Sequence, residues 1–174
     1  MAAPKKVAEL PISFDRDIFL RNLVRELAGT LEKVIGLDET SGFISIVGQN
    51  IGEWMNEEYR KQLATDTLSS KQVADVLVDL KKRIQGDFYL IEENEEKIVL
   101  GNRHCPFGDK VLDRPSMCMM TSNVFGTIAA DNLGYAKVCL DATIAQHAPE
   151  CRVTIYKQMS IDAEAHTGRE YYKA

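Results

Sequence analysis

The hydrophobic pattern of the sequence changes its period at Gly86, and this change constrains the fold more than any other feature. Before Gly86, apolar residues recur every three to four positions, which is the spacing of amphipathic helices. After Gly86, the runs FYLIE and KIVLG are short, aliphatic and aromatic, and the acidic turn ENEE joins them as in a β-hairpin. The chain is therefore predicted to be an α+β protein, with N-terminal helices followed by a small antiparallel sheet with one intervening helix.

The first half of the sequence predicts three helices, over residues 13–36, 41–63 and 69–86. At the start of the third, the Ser69 hydroxyl can cap the helix while Gln72 reaches back, and its KKR end suits the helix dipole. In the second, Gly48 and Gly52 leave a notch where another helix could approach closely. Because the apolar faces of the first two helices, together with this notch, are more than one small sheet can cover, we expect a symmetric homodimer through these helices.

The second half predicts a helix over 116–132 and then a hairpin from Tyr135 to Tyr156. The element order is thus three helices, two strands, one helix and two strands. We expect one domain over residues 13–160, between flexible tails at 1–12 and 161–174.

The length, charge and composition of the chain argue against several classes of function. A chain of 174 residues with 45% hydrophobic content can bury the core of a single domain. The net charge of -5 and the pI near 5.3 argue against a nucleic-acid partner, since nucleic-acid readers carry a basic excess on one face. Four cysteines, no apolar span long enough for a bilayer and no secretory signal predict a cytoplasmic protein without a membrane partner.

Three of the four cysteines stand where a loop, a helix start and a strand start could converge. Cys105 lies in a Gly/Pro-bounded loop, Cys118 follows Pro115 and Ser116 where a helix can begin, and Cys151 opens an alternating apolar run. Thiolates are preferred ligands of zinc, copper(I) and iron-sulfur clusters, so this trio predicts a metal or cluster site. No CxxC is present, and the alternative is that these thiols simply fill the core.

Strand alternation separates Cys151 from the fourth cysteine. Cys151 shares a face with Val153 and Ile155 and is expected to point into the core. Cys139 belongs to the opposite, more polar set of its strand and is expected to lie outside the site.

The sequence leaves the fourth ligand open. His104 adjoins Cys105, His147 lies in the predicted turn before Cys151, and Asp113 or an exogenous ligand competes with both.

No GxSxG, HExxH, P-loop or GxGxxG motif occurs, which favours a binding module that is not an enzyme. The less favoured alternative is a thiol-redox enzyme that uses Cys105 beside His104. A further set of apolar side chains could line a small-molecule pocket, although residues at this helical spacing are more often core: Phe107, Met117, Met119, Met120 and Phe125.

The runs CPFG, CMMTSNVFGxIAA, NLGYAKV and CRVxIY resemble the methanogen output domain family, a sensory or output module of archaeal and bacterial signalling proteins. The cysteine skeleton is also similar to the C-terminal part of iron-sulfur-assembly repressors and to 4-vinyl-reductase-type ligand-binding domains, whose cysteines hold zinc. These resemblances imply Cys105, Cys118 and Cys151 as the ligands and leave Cys139 out.

From the residues and the resemblances together, we expect a sensory domain that binds an iron-sulfur cluster and signals redox or gas state to a protein partner. The alternative is a structural zinc beside a pocket for a small hydrophobic ligand.

Overall fold

The computed structural model describes residues 15–173 and confirms the α+β class. Its elements in chain order are α1 (Arg16–Ile35), α2 (Leu37–Leu63), α3 (Ser70–Arg83), β1 (Phe88–Glu93), β2 (Lys97–Asn102), α4 (Cys118–Leu133), β3 (Tyr135–Ala142), β4 (Cys151–Tyr156), α5 (Ile161–Ala165) and β5 (Arg169–Tyr172). Short 3-10 turns occupy Gly108–Val111, Pro115–Met117 and Ile144–Gln146. The start of the first predicted helix and the predicted tail at 1–12 lie outside the described residues.

The five strands form one antiparallel sheet in the order β1-β2-β4-β3-β5. Leu100 and Leu140, on the two strands that flank β4, both pair with Val153, so apolar residues line up across the sheet. This row belongs to the main core, which α3 and α4 close from one side. The capping box predicted for α3 is present, with Ser69 and Gln72 exchanging hydrogen bonds.

The end of the chain differs from the prediction. A tail was expected over 161–174, but the structure forms α5 and β5 there. β5 pairs with β3 at the edge of the sheet, and Tyr171 packs on Gly126 of α4, where a Cβ atom would come within 2.2 Å of the tyrosine ring. The Tyr171 hydroxyl also lies 2.9 Å from the Ser122 hydroxyl. These contacts come from distant parts of the chain, which local periodicity cannot register.

The notch in α2 receives α4 of the same chain. A Cβ atom on Gly48 would lie 2.8 Å from the Asn123 Cβ, and one on Gly52 would lie 3.0 Å from the Thr127 Cβ. The predicted close helix contact is therefore confirmed, and its partner is internal. It makes α4 a central helix, buried between α2 and the sheet.

The outer faces of α1 and α2 leave large apolar side chains exposed: Phe19, Leu20, Leu23, Leu27, Val34, Phe43, Ile46, Val47 and Trp54. The homodimer expected from these faces stays a prediction. Among residues 15–173, none of the helices combines the length and apolarity that crossing a membrane requires.

Candidate functional site

Three cysteines meet at one cavity between the sheet, the start of α4 and the loop after β2. Cys105 lies in that loop, Cys118 is the first residue of α4, and Cys151 is the first residue of β4. All three line a cavity of about 30 Å³. Its other walls are mostly apolar: Phe88, Asn102, Pro106, Phe107, Val111, Met117, Thr121, Leu140, Thr143, Ile144, Ala145 and Val153. The structure thus brings together the trio singled out from the sequence, and Cys151 shares the inner face with Val153 as expected.

The Cys151 sulfur accepts hydrogen bonds from two N–H donors. The Ile144 backbone N–H lies 3.3 Å from Sγ, and Asn102 Nδ2 lies 3.7 Å from it. The Ile144 donor follows the register shift at the end of β3 and is the first residue of the next 3-10 turn. Donors that point at a sulfur stabilise its thiolate form, which is the form that binds metals.

The surroundings of the other two thiols differ from those of Cys151. In the CPFG turn, the Gly108 backbone N–H donates to the Cys105 backbone carbonyl at 2.8 Å, and Gly108 adopts a positive φ of 58°. The Thr143 hydroxyl, which lines the cavity with Cys118, donates to Gln146 Oε1 at 3.0 Å. Within residues 15–173, Cys151 is thus the one thiol of the three whose sulfur accepts hydrogen bonds.

Burial nevertheless dominates the acidity of two of these thiols. It raises the pKa of Cys118 to about 12, and the nearby Cys151 and Cys105 add to this effect. Burial also raises the pKa of Cys105. At neutral pH both groups are thus protonated when no metal is bound, and a metal has to displace their protons.

A buried lysine stands beside the three cysteines. Lys81 is only 4% exposed, its Nζ donates to the Thr121 hydroxyl at 2.8 Å, and it lies 5.4 and 5.2 Å from the ring centres of Phe88 and Phe125. Within the described residues it pairs with no carboxylate. Burial lowers its pKa to about 8, and the charges of the three cysteines oppose this shift.

The sequence analysis placed Lys81 in the basic C-terminal end of α3 and did not predict that its side chain is buried beside the cysteines. The signal was present, since Lys81 follows Val73 and Leu77 at intervals of four residues and so shares their buried face.

Cys139 lies outside the cavity. It pairs with Thr154 on β4, next to the Leu140–Val153 pair, and adjacent strand residues point to opposite faces. This face also carries Lys137 and Thr154, as its more polar pattern indicates. It is not open to solvent at Cys139, because α5 covers it and buries Cys139 with Tyr156 and Ala163.

None of the residues considered as a fourth ligand lines the cavity. His104 is exposed, and its backbone N–H is bonded to Asn102. His147 Nε2 lies 2.8 Å from Asp113 Oδ1, so these two side chains pair with each other at the surface. Across residues 15–173, no three Cys, His, Asp or Glu side chains are arranged as a ready-made metal site.

A larger apolar groove of about 350 Å³ adjoins the cavity. Phe107 and Met117 line both spaces, and Met120 lines the groove alone. Its remaining walls come from α1 and α2: Val24, Leu27, Ala28, Leu31, Phe43, Ile44 and Val47. Two residues considered for a pocket lie elsewhere, since Phe125 is fully buried in the main core and Met119 lines neither space.

The loop between Cys105 and Cys118 is tied to α1. Arg25 donates to the carbonyl oxygens of Lys110 and Leu112 at 2.6 and 2.8 Å. Farther along α1, Glu32 accepts a hydrogen bond of 2.5 Å from the Ser116 hydroxyl. A displacement of this loop would therefore act directly on α1.

A sequence profile of the family described as methanogen output domain 1 matches residues 23–156, a span that includes all the cysteines. The chain belongs to this family. The resemblances to iron-sulfur-assembly repressors and to 4-vinyl-reductase-type domains stay predictions. No curated protein matches the sequence.

Solved structures that share the fold at low sequence identity include the following two. The first is the phenol-responsive sensory domain of the transcription activator PoxR with phenol, at 14% identity and a TM-score of 0.62, covering 88% of this chain and 81% of that one. The second is a trafficking protein particle complex subunit 3 from Naegleria fowleri covalently bound to palmitic acid, at 10% identity and a TM-score of 0.53, covering 90% of this chain and 99% of that one.

Proposed function

We propose that this methanogen output domain is a non-catalytic sensory module whose responsive element is a metal centre on Cys105, Cys118 and Cys151. The observation that carries the proposal is the convergence of three thiols on one cavity, where the Cys151 sulfur accepts hydrogen bonds from two N–H donors. Cys139, on the other face of the sheet, serves as an internal contrast, because it does not line this cavity and packs with Tyr156 and Ala163.

The chemistry of the donor set fits zinc or an iron-sulfur cluster. Three thiolates carry a charge of -3, and either a zinc ion or a cluster core of charge +2 leaves one net negative charge. The buried ammonium of Lys81 would offset that charge. A fourth position would stay open for water or another exogenous ligand.

The size of the cavity favours a single ion. A volume of about 30 Å³ has space for about two water-sized groups, which suits one zinc ion and an exogenous ligand. An iron-sulfur cluster would require the loop between Cys105 and Cys118 to move outward. Because Arg25 and Glu32 bind this loop to α1, such a movement would reach the outer helices. We propose this route for the signal to a protein partner.

A second candidate function is the sensing of a small apolar ligand, and the groove of about 350 Å³ beside the cavity favours it. Its lining is almost wholly apolar, and Phe107 and Met117 connect it to the cysteines. The two solved structures of similar fold described above hold phenol and palmitic acid, respectively. In this alternative the metal is structural, and the ligand displaces α1 against α2.

Anaerobic purification followed by metal analysis and an absorption spectrum tests the metal proposal. A colourless protein with one zinc per chain supports the single ion, and a brown protein that bleaches in air supports the cluster. The proposal fails if the purified protein contains neither, and if neither zinc nor iron with sulfide can be loaded anaerobically.

A further inference from the structure

We propose that Lys81 is the counter-charge of the three-cysteine site, so that the site responds to the net charge of whatever it holds. This inference rests on the proposed metal centre and concerns a residue that is not a ligand. It is a positioning role, exerted through the electrostatic field of one buried ammonium group.

The first step is the isolation of Lys81 from other negative charge. Five lysines of the described residues are buried or partly buried, and four of them have evident partners. Lys97 pairs with Asp162 at 3.2 Å, and Lys110 pairs with Asp109 at 3.4 Å. Lys157 pairs with Glu93 at 3.1 Å, and Lys137 donates to the Ala163 carbonyl oxygen at 2.7 Å. Lys81 has only the neutral Thr121 hydroxyl and two aromatic rings. No Asp or Glu lines the cavity beside it.

The second step is the cost of this arrangement. A buried charge without a partner is strongly destabilising, and contacts with aromatic rings recover only part of the loss. Thr121 and Phe88, which contact the Lys81 ammonium group, also line the cavity of the three cysteines. The groups of that cavity that can become anionic are the three thiols. Lys81 is therefore paired only when the cysteines are ionised, which is the state that a metal imposes.

The third step is the balance of charge. Binding of Zn²⁺ to three thiols releases three protons to solvent and changes the charge of the cavity by -1. Binding of Cu⁺ to the same three thiols also releases three protons, but it changes the charge by -2. A nearby positive charge favours both events, and in free energy it favours the second about twice as much.

Replacement of Lys81 by methionine tests the inference, because methionine keeps the length and apolar stem of the side chain. At an effective dielectric constant of about 20, unit charges at any separation below about 12 Å change each other's binding equilibrium by about 10-fold or more, so the expected loss of Zn²⁺ affinity is at least about 10-fold. The loss for Cu⁺ should be about the square of that factor. Metal-free Lys81→Met should be more stable than the wild type, since a lone buried charge has been removed.

Zn²⁺ and Cu⁺ affinities are measured by competition with chelators under anaerobic conditions, and the stability of the metal-free protein by denaturant unfolding. Lys137→Met is the matched control, because it also removes a buried lysine but on the opposite face of the sheet. It should leave both metal affinities unchanged.

Two results would overturn the counter-charge role alone while leaving the metal centre standing. One is a wild-type affinity for Zn²⁺ in Lys81→Met. The other is an equal loss for Zn²⁺ and Cu⁺ with a fall in stability, which would show a purely structural role. If the wild type itself binds neither metal, the proposed function falls, and the inference falls with it.

Discussion

Zinc affinity of the three-cysteine cavity should rise steeply with pH. Burial raises the pKa of Cys118 to about 12 and also raises that of Cys105, so both thiols hold their protons at neutral pH in the metal-free protein. Zinc binds the thiolate and therefore expels these protons. Raising the pH removes the competing protons and strengthens binding, whereas lowering it weakens binding.

The magnitude follows from the pKa of Cys118. Deprotonating a thiol with a pKa of about 12 at pH 7 costs about 7 kcal/mol, against about 2 kcal/mol for an ordinary cysteine. The apparent binding free energies of structural zinc sites at pH 7, roughly 10–16 kcal/mol, are what remains after such costs of deprotonation. While Cys105 and Cys118 both remain protonated, each adds one proton to the exchange, and the affinity should rise about 100-fold per pH unit from these two groups alone.

Calorimetric titration with zinc in buffers of different ionisation enthalpy counts the released protons, and chelator competition at pH 6, 7 and 8 gives the affinities. We expect at least two protons per zinc. Cys118→Ser should reduce that number by one in whatever binding remains. An affinity that does not change across this pH range would refute the reasoning, because it would mean that the thiols are already ionised or are not ligands.

Two further predictions concern packing and assembly. Gly48→Ala should destabilise the protein by about 1–3 kcal/mol, because its Cβ would lie 2.8 Å from the Asn123 Cβ. The control Gly42→Ala, in the same helix, meets nothing within 4 Å and should stabilise the protein by up to about 1 kcal/mol. Equal shifts of the melting temperature in the two variants would contradict the α2–α4 contact. Light scattering of the wild type at micromolar concentration should give twice the monomer mass of 19.5 kDa. Ile46→Glu, on the exposed face of α2, should give the monomer mass. A monomeric wild type would refute the dimer.

The parts of the fold that the sequence predicted are those that local pattern determines. The period change at Gly86 separated the helices from the strands because a core-facing stripe repeats every 3.6 residues in one and every 2 in the other. The capping box of Ser69 and Gln72 needs only four residues and was confirmed. β5 could not be found in this way, since its four residues are held by pairing with β3 and by the packing of Tyr171 on Gly126.

In the candidate site, too, the features set by local sequence pattern were predicted, and those set by distant contacts were not. Alternation put Cys151 and Cys139 on opposite sides of the sheet, which is correct, but it could not say that α5 covers the side of Cys139. Lys81 was assigned by its charge, although its position four residues after Leu77 places it on the buried face. The fourth ligand cannot be chosen from proximity in sequence, because His104 adjoins Cys105 yet does not line the cavity.

The metal content of four single variants, Cys105→Ser, Cys118→Ser, Cys139→Ser and Cys151→Ser, tests the central claim most directly. Each is purified anaerobically beside the wild type, and metal per chain is measured by mass spectrometry, with circular dichroism to verify folding. Loss of most of the metal is predicted for the three variants of the cavity, and retention for Cys139→Ser, whose side chain lies on the other face of the sheet. Loss from folded Cys139→Ser as severe as from Cys151→Ser, or retention by all four, would contradict the three-cysteine centre.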